Sequence, residues 1–169
     1  MTGATRTGIG WDSHRLTAGR ALILAGVTLT HPDGLGLDGH SDADVLTHAV
    51  IDALLGAAGL GDIGEHFPDT DEAFRGADSL ALLRESVARA AAAGWRPVHV
   101  DTTVMMERPK LKEHRSVMRS RLAAALGLED GEVNIKASTG EGIGFVGREE
   151  GVAALAVVTV TPWVRDQRR

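Results

Sequence analysis

Asp12 and His14, one residue apart, and the run from His40 to His48 hold the side chains best suited to chemistry. In an extended strand residues i and i+2 point to one side, so Asp12 and His14 can reach one ion. His48 can supply a third ligand from a helix. Two imidazoles and one carboxylate with an open fourth position suit a catalytic zinc, whereas a structural zinc site closes all four positions. Asp44, His48 and Asp52 are spaced by four and form one polar stripe on a largely apolar helix, where Asp44 or Asp52 can orient the His48 imidazole. A plainer reading makes His14 and His48 hydrogen-bonded histidines near the core and Asp12 a turn cap. That reading suits each residue alone; the three together favour a metal.

Other groups could meet an anion. His40-Ser41 precedes the helix, where a hydroxyl and backbone amides can face a phosphate, although simple N-capping accounts for Ser41 equally well. Asp62, Asp69 and Asp71 read as turn formers or as carboxylates that bind substrate hydroxyls. Lys110 and Lys112 open an expected helix, where positive charge opposes the dipole but suits an arriving phosphate. Ser138-Thr139-Gly140-Glu141-Gly142 follows a strand. It reads as a plain turn or as a phosphate cradle, with Glu141 available to a hard cation and with Phe145 and Arg148 close behind.

The elements that must place these groups follow from pattern. Thr5 to Trp11 reads as a strand ending at Asp12-Ser13-His14, and Ala21 to Leu29 as a hairpin. Ser41 is the expected N-cap of a helix from Asp44 to Leu55, closed by Gly56. Gly56 to Phe74 reads as a long ordered loop. Asp78 caps a second helix to Ala93, ahead of Gly94. Pro97 to Met106 is a strand. Pro109 opens a third helix running to Leu126 and stopping at Gly127. Glu132 to Ser138 is a strand, Thr139 to Glu150 a glycine-rich loop, and Gly151 to Trp163 a long apolar strand. The order predicts an α+β sandwich: a mixed or antiparallel sheet with helices on one face and βαβ elements of ferredoxin-like type. The uncovered face can be buried by oligomerisation.

Composition limits the field. The chain has 169 residues, enough for one domain (1–169, with tails at about 1–5 and 164–169). Its net charge of −5, with both signs interspersed, gives no footprint for nucleic acid. With no cysteine, any metal must be held by His, Asp or Glu. No leader and no apolar stretch of membrane-spanning length is visible, so a cytoplasmic protein is expected, with no membrane partner.

Taken together, Gly10-Trp11-Asp12-Ser13-His14, the His40–His48 run, Gly61-Asp62-Ile63-Gly64 and Phe67-Pro68-Asp69-Thr70-Asp71 resemble the 2-C-methyl-D-erythritol 2,4-cyclodiphosphate synthase family. Pro109-Lys110, Asn134 to Thr139 and Gly144-Phe145-x-Gly147-Arg148-x-Glu150-Gly151 continue the likeness in the same order, so it covers the chain from Arg6 to about Val160.

The resemblance implies a homotrimer with active sites at the subunit interfaces and a central cavity able to hold an isoprenoid diphosphate. It implies closure of 4-diphosphocytidyl-2-C-methyl-D-erythritol 2-phosphate on itself with release of CMP, a lyase reaction of isoprenoid precursor synthesis. By position, Asp12, His14 and His48 match ligands of one zinc per subunit, and Glu141 matches the ligand of a Mg²⁺ or Mn²⁺ that arrives with substrate. His40 and Thr139 match residues that stabilise the transition state. Ser41, Asp62, Ile63, Gly64, Phe67, Pro68, Asp69, Thr70 and Asp71 match the methylerythritol side of the pocket. Met106, Pro109, Lys110, Leu111, Lys112, Ala137, Ser138, Gly140, Phe145 and Arg148 match the cytidine diphosphate side.

Three positions depart from the family pattern. Gly140 and Gly142 stand where larger side chains are usual, which predicts a more flexible loop around Glu141, and Trp11 replaces a more usual Phe. A zinc hydrolase or lyase using metal-bound hydroxide, and a metal-stabilised trimeric scaffold without catalysis, are the competing readings.

Overall fold

In the computed structural model, which describes residues 4–163, the chain is a twisted sheet carrying its helices on one side. The tails expected at 1–5 and 164–169 lie outside the described residues apart from Ala4 and Thr5, which are exposed and irregular. In chain order the elements are β1 (Arg6–Ala18), β2 (Leu22–Leu24), β3 (Val27–Leu29), β4 (Leu35–Leu37), α1 (Val45–Ala58), α2 (Ile63–His66), α3 (Ser79–Ala92), β5 (Trp95–Met105), α4 (Arg115–Leu126), β6 (Val133–Ser138), α5 (Gly144–Gly147) and β7 (Gly151–Pro162). The main sheet has the order β4-β1-β7-β5-β6, antiparallel except for the parallel β5–β6 pair. β5, α4 and β6 therefore form a βαβ unit, and β2–β3 is a separate hairpin. The mixed sheet and the one-sided helix layer agree with the sequence pattern.

The core lies between the sheet and α1, α3 and α4. On β7, Val152, Ala154, Ala156, Val158 and Val160 are completely buried, while Leu155, Val157 and Thr159 between them face the other way and are half-buried. That alternation is the period of a pleated strand with one face covered. α1 lies unusually close to β1. A Cβ on Gly8 or Gly10 would fall on the carbonyl oxygens of Ala53 or Ala49, so only glycine allows the helix to settle there. The opposite sheet face exposes Ile9 and Trp11 by more than half, beside the half-buried Leu155 and Val157. Among the described residues no helix is long and apolar enough to cross a membrane.

Several boundaries differ from expectation. α1 does not start at a Ser41 cap. Ala43 takes a left-handed backbone (φ 56°), and the cap is Asp44, whose carboxylate accepts from the Thr47 amide at 3.0 Å. The helix also runs past Gly56 to end at Gly59, which is left-handed (φ 74°). The Gly56–Phe74 stretch is not one loop, because it holds the last turn of α1, the whole of α2 and a 3-10 turn at Glu72–Phe74. Pro109 does not open α4. Residues 107–114 form a connecting loop pinned by the buried Leu111, and the helix begins at Arg115, so Lys110 and Lys112 meet no opposing dipole. β4 was not expected as a strand; its three residues pair with Leu16 to Ala18.

Candidate metal centre and basic pocket

β1 delivers Asp12 and His14 on the pleat that faces α1, and α1 delivers His48 in its first turn, where the His48 amide bonds the Asp44 carbonyl. The three side chains converge. His14 Nε2 lies 2.9 Å from Asp12 Oδ2, His48 Nδ1 lies 3.0 Å from the same oxygen, and the two ring nitrogens are 3.2 Å apart. Each ring is held from its far side. His14 Nδ1 meets the Asp38 carbonyl at 2.7 Å, so that nitrogen carries the hydrogen and Nε2 presents a lone pair. Ser79 Oγ donates to Asp42 and so accepts from His48 Nε2 at 2.8 Å, which turns the Nδ1 lone pair inward. Ser41 Oγ stands 3.1 Å from the same Nε2.

Two imidazole lone pairs and a carboxylate therefore point at one another with no donor hydrogen among them. A cation satisfies all three at once, and the ligand atoms lie within 4.8 Å of one another, so the donor set fits a divalent metal of the zinc type. The electrostatics agree. Burial pushes the Asp12 carboxyl up, but its bonds and attraction to His14 and His48 prevail and hold it at about 2. Burial pushes His14 down, and the Asp12 carboxylate outweighs it, leaving the imidazole above its ordinary value.

Asp44 and Asp52 do not orient His48. Asp44 is fully buried and spends its carboxylate on the amides of Ala25, Gly26 and Thr47 and on the Thr47 hydroxyl, locking the β2–β3 turn to the start of α1. Asp52 accepts from the Ile63 amide at 2.8 Å and so anchors α2. The residues that hold the imidazole, Ser79 and behind it Asp42, were missed. Ser79 is 31 residues from His48, and only the packing of α3 on α1 brings them together.

Asp12, His14 and His48 line a cavity of about 410 Å³. His40 and Ser41 line it on one side, Asp52, Ile63 and Gly64 on another, and Phe67, Pro68 and Asp69 close it with Phe74 and Leu82. Asp62, Thr70 and Asp71 are not among the lining residues. Asp62 caps α2 through the Glu65 amide, and Asp71 caps the 3-10 turn through the Ala73 amide.

A second cavity, of about 290 Å³, is lined by Met106, Pro109, Lys110, Leu111 and Lys112 against Ala137, Ser138 and Thr139, with Arg115 as a further cation that spacing did not single out. The two cavities share no lining residue. His40 thus belongs to one and Thr139 to the other. Glu141 lies outside both and accepts from the Thr139 hydroxyl at 2.9 Å. Phe145 lines neither; it borders a small recess with His14 and Glu150, while Arg148 pairs with Glu150. Gly140 lies beside the second cavity but packs elsewhere. A Cβ on it would strike the Gly147 amide, and one on Gly147 would strike Gly142. The loop is therefore folded tightly on itself, and the glycine at 140 serves close packing more than freedom.

Comparison with known proteins points one way. The YgbB family model matches residues 5–161. The chain is 59% identical over 152 residues to 2-C-methyl-D-erythritol 2,4-cyclodiphosphate synthase of Bordetella petrii, covering 90% of this chain and 93% of that one. It is 59% identical over 155 residues to the enzyme of that name from Salinibacter ruber, covering 92% and 98%. Among solved structures it is similar to the bifunctional IspDF of Campylobacter jejuni (TM-score 0.90, 44% identity), covering 95% of this chain but 43% of that longer one. It is similar also to a 2C-methyl-D-erythritol-2,4-cyclodiphosphate synthase in a CDP-bound form (TM-score 0.83, 39% identity, covering 92% and 99%).

Proposed function

The chain belongs to the YgbB family, and from that premise we propose that it is an enzyme converting 4-diphosphocytidyl-2-C-methyl-D-erythritol 2-phosphate to 2-C-methyl-D-erythritol 2,4-cyclodiphosphate and CMP. The observation that carries the reading is the convergence of Asp12, His14 and His48 on one point in the lining of a cavity. The described residues form one catalytic unit.

In the reaction an oxygen of the 2-phosphate forms a bond to the β-phosphorus, and the bond from that phosphorus to the bridging oxygen breaks, CMP leaving with the electron pair. No protein nucleophile is needed, so positioning and charge neutralisation carry the catalysis. When bound, zinc at Asp12, His14 and His48 and a Mg²⁺ or Mn²⁺ at Glu141 would supply Lewis-acid polarisation of the phosphate oxygens. Ser79 and Asp38 keep the two imidazoles in the tautomers that present lone pairs. His40 and Ser41 face the phosphates across the first cavity, and Ile63, Gly64, Phe67 and Asp69 hold the methylerythritol end. Lys110, Lys112 and Arg115 attract the nucleotide diphosphate in the second cavity, and Thr139 takes developing charge.

One substrate must span two cavities that share no residue within a chain. A homotrimer in which each metal cavity meets a neighbouring copy's basic pocket accounts for this, and the apolar sheet face with Ile9 and Trp11 supports such assembly. The test is turnover of the cytidyl substrate with CMP and cyclic diphosphate both quantified. Equal amounts are expected. A linear product would mark a hydrolase, and absence of turnover would mark a scaffold.

A further inference from the structure

The loop from Gly140 to Glu149 is gripped at both ends by two adjacent residues of a different segment. At its start the Gly140 amide donates to the Glu107 carboxylate. At its end Arg108 meets Glu149 fork to fork, Nε to Oε1 and Nη2 to Oε2, each at 2.6 Å. The same guanidinium donates to Asp33 at 2.5 Å, in the turn after β3. Against Glu149 lies His31, whose side chain is completely buried. Its Nδ1 accepts from the Asp33 amide at 3.1 Å, which leaves the ring hydrogen on Nε2, 3.9 Å from Glu149 Oε1 and without another partner among the described residues. Glu149 itself has a left-handed backbone (φ 55°), a conformation that an L side chain adopts at a cost and keeps only where its surroundings hold it.

The position of this cluster matters more than its strength. Met106 and Pro109, on either side of Glu107 and Arg108, belong to one wall of the basic cavity; Thr139, just before Gly140, ends the other. The residue after Gly140 is Glu141. Where residues 107 and 108 hold the loop thus sets both the spacing of the two walls and the place of the Glu141 carboxylate. Gly142 and Gly144, both left-handed (φ 75° and 68°) with open space where a Cβ would stand, give the loop other conformations once released.

We propose that Glu107 and Arg108 form a clasp that registers the 140–149 loop against the basic pocket, making Arg108 and Glu149 positioning residues for the nucleotide end of the substrate. This rests on the assignment of that pocket to the cytidine diphosphate moiety. Arg108 is 40% exposed, and ion pairs at such sites contribute little to stability, so its loss is read in binding and leaves the fold in place.

The experiment compares the full-length protein with Arg108→Ala, Arg108→Lys and Glu149→Gln. CDP binding is measured by calorimetry, steady-state kinetics with the cytidyl substrate, and thermal unfolding. For Arg108→Ala we expect CDP affinity to fall about tenfold and KM to rise in step, with any fall in kcat smaller than the rise in KM and an unchanged unfolding midpoint. Lysine keeps the charge and loses the fork, so it restores about half of the effect on a logarithmic scale. Glu149→Gln shifts KM in the same direction. Unchanged CDP affinity and KM in an active Arg108→Ala protein would overturn the proposal, as would a loss confined to kcat with a lowered unfolding midpoint. If the alanine variant fails to fold, the other two decide the question on the same criteria. A wild-type protein that neither binds CDP nor turns over the substrate would instead overturn the functional reading beneath it.

Discussion

His48 is held from behind by the Asp42–Ser79 hydrogen-bond chain, which leaves its Nδ1 lone pair facing Asp12 and His14. His48→Ala should abolish stoichiometric metal while the protein stays folded, because the apolar face of α1 that packs on β1 and β7 is untouched. Ser79→Ala should weaken metal affinity by about 10–100-fold, since the imidazole loses its orienting acceptor. Metal analysis after dialysis and competitive chelator titration test both; full zinc content in His48→Ala would remove it from the ligand set. A pH dependence follows from the same site. His14, raised above 6.5 by Asp12 in the metal-free protein, stabilises that form fully below 6.5, and this contribution fades as pH rises through the raised value. A metal must displace that proton, so its affinity rises across the same window. Asp12, at about 2, stays a carboxylate throughout and titrates only in strong acid. Unfolding midpoints of chelator-treated and zinc-loaded protein should therefore diverge as pH increases from about 6 to 8. Asp12 and His14 were legible as a pair because strand spacing carries them, and His48 joined them through its residue type and the family resemblance, not through spacing. Ser79 was not, because its contact crosses between helices and no local pattern encodes it.

At the scale of elements, Gly10 lets α1 lie close on β1, and α1 must lie close for His48 to reach Asp12. Gly10→Ala should destabilise the protein by about 3 kcal/mol, because its Cβ meets backbone and has no flexible side chain to push aside. It should also lower metal affinity, as the helix is pried from the strand. Thermal unfolding and metal titration read the two effects, and a neutral variant would show that the helix has room to shift. The helix and strand boundaries divide along the same line between local and long-range causes. α3 was legible from Asp78 and Gly94, and β7 from its apolar run, since cap, stop and alternation are neighbours in sequence. The start of α1 was not. Asp44 becomes the cap through amides of Ala25 and Gly26, and Asp42 is drawn to Ser79, so both carboxylates answer to distant partners. Pro109 misled for a related reason. Proline in general suits a first helical turn, but here residues 107–114 form a loop, with Leu111 buried, before α4 begins.

On the scale of the whole molecule, the three candidate ligands come together within one chain, whereas the proposed active site calls for a second copy. Ile9→Arg, on the exposed sheet face, should break assembly, with sedimentation showing the smaller species. The variant should retain its metal yet lose turnover. A fully active single chain would refute the reading of a site completed by a second copy. The proposed assembly face and the candidate ligand face are the two sides of one strand. Along β1, Gly8, Gly10, Asp12 and His14 face α1, and Ile9 and Trp11 alternate with them toward the open face. That interleaving ties two traits to a single reading frame of side chains. Deleting or inserting one residue before Asp12 would turn the ligands outward and drive Ile9 or Trp11 into the glycine groove, abolishing metal binding and assembly together. A substitution on β1 can therefore disturb one of the two traits, while a change of its length disturbs both.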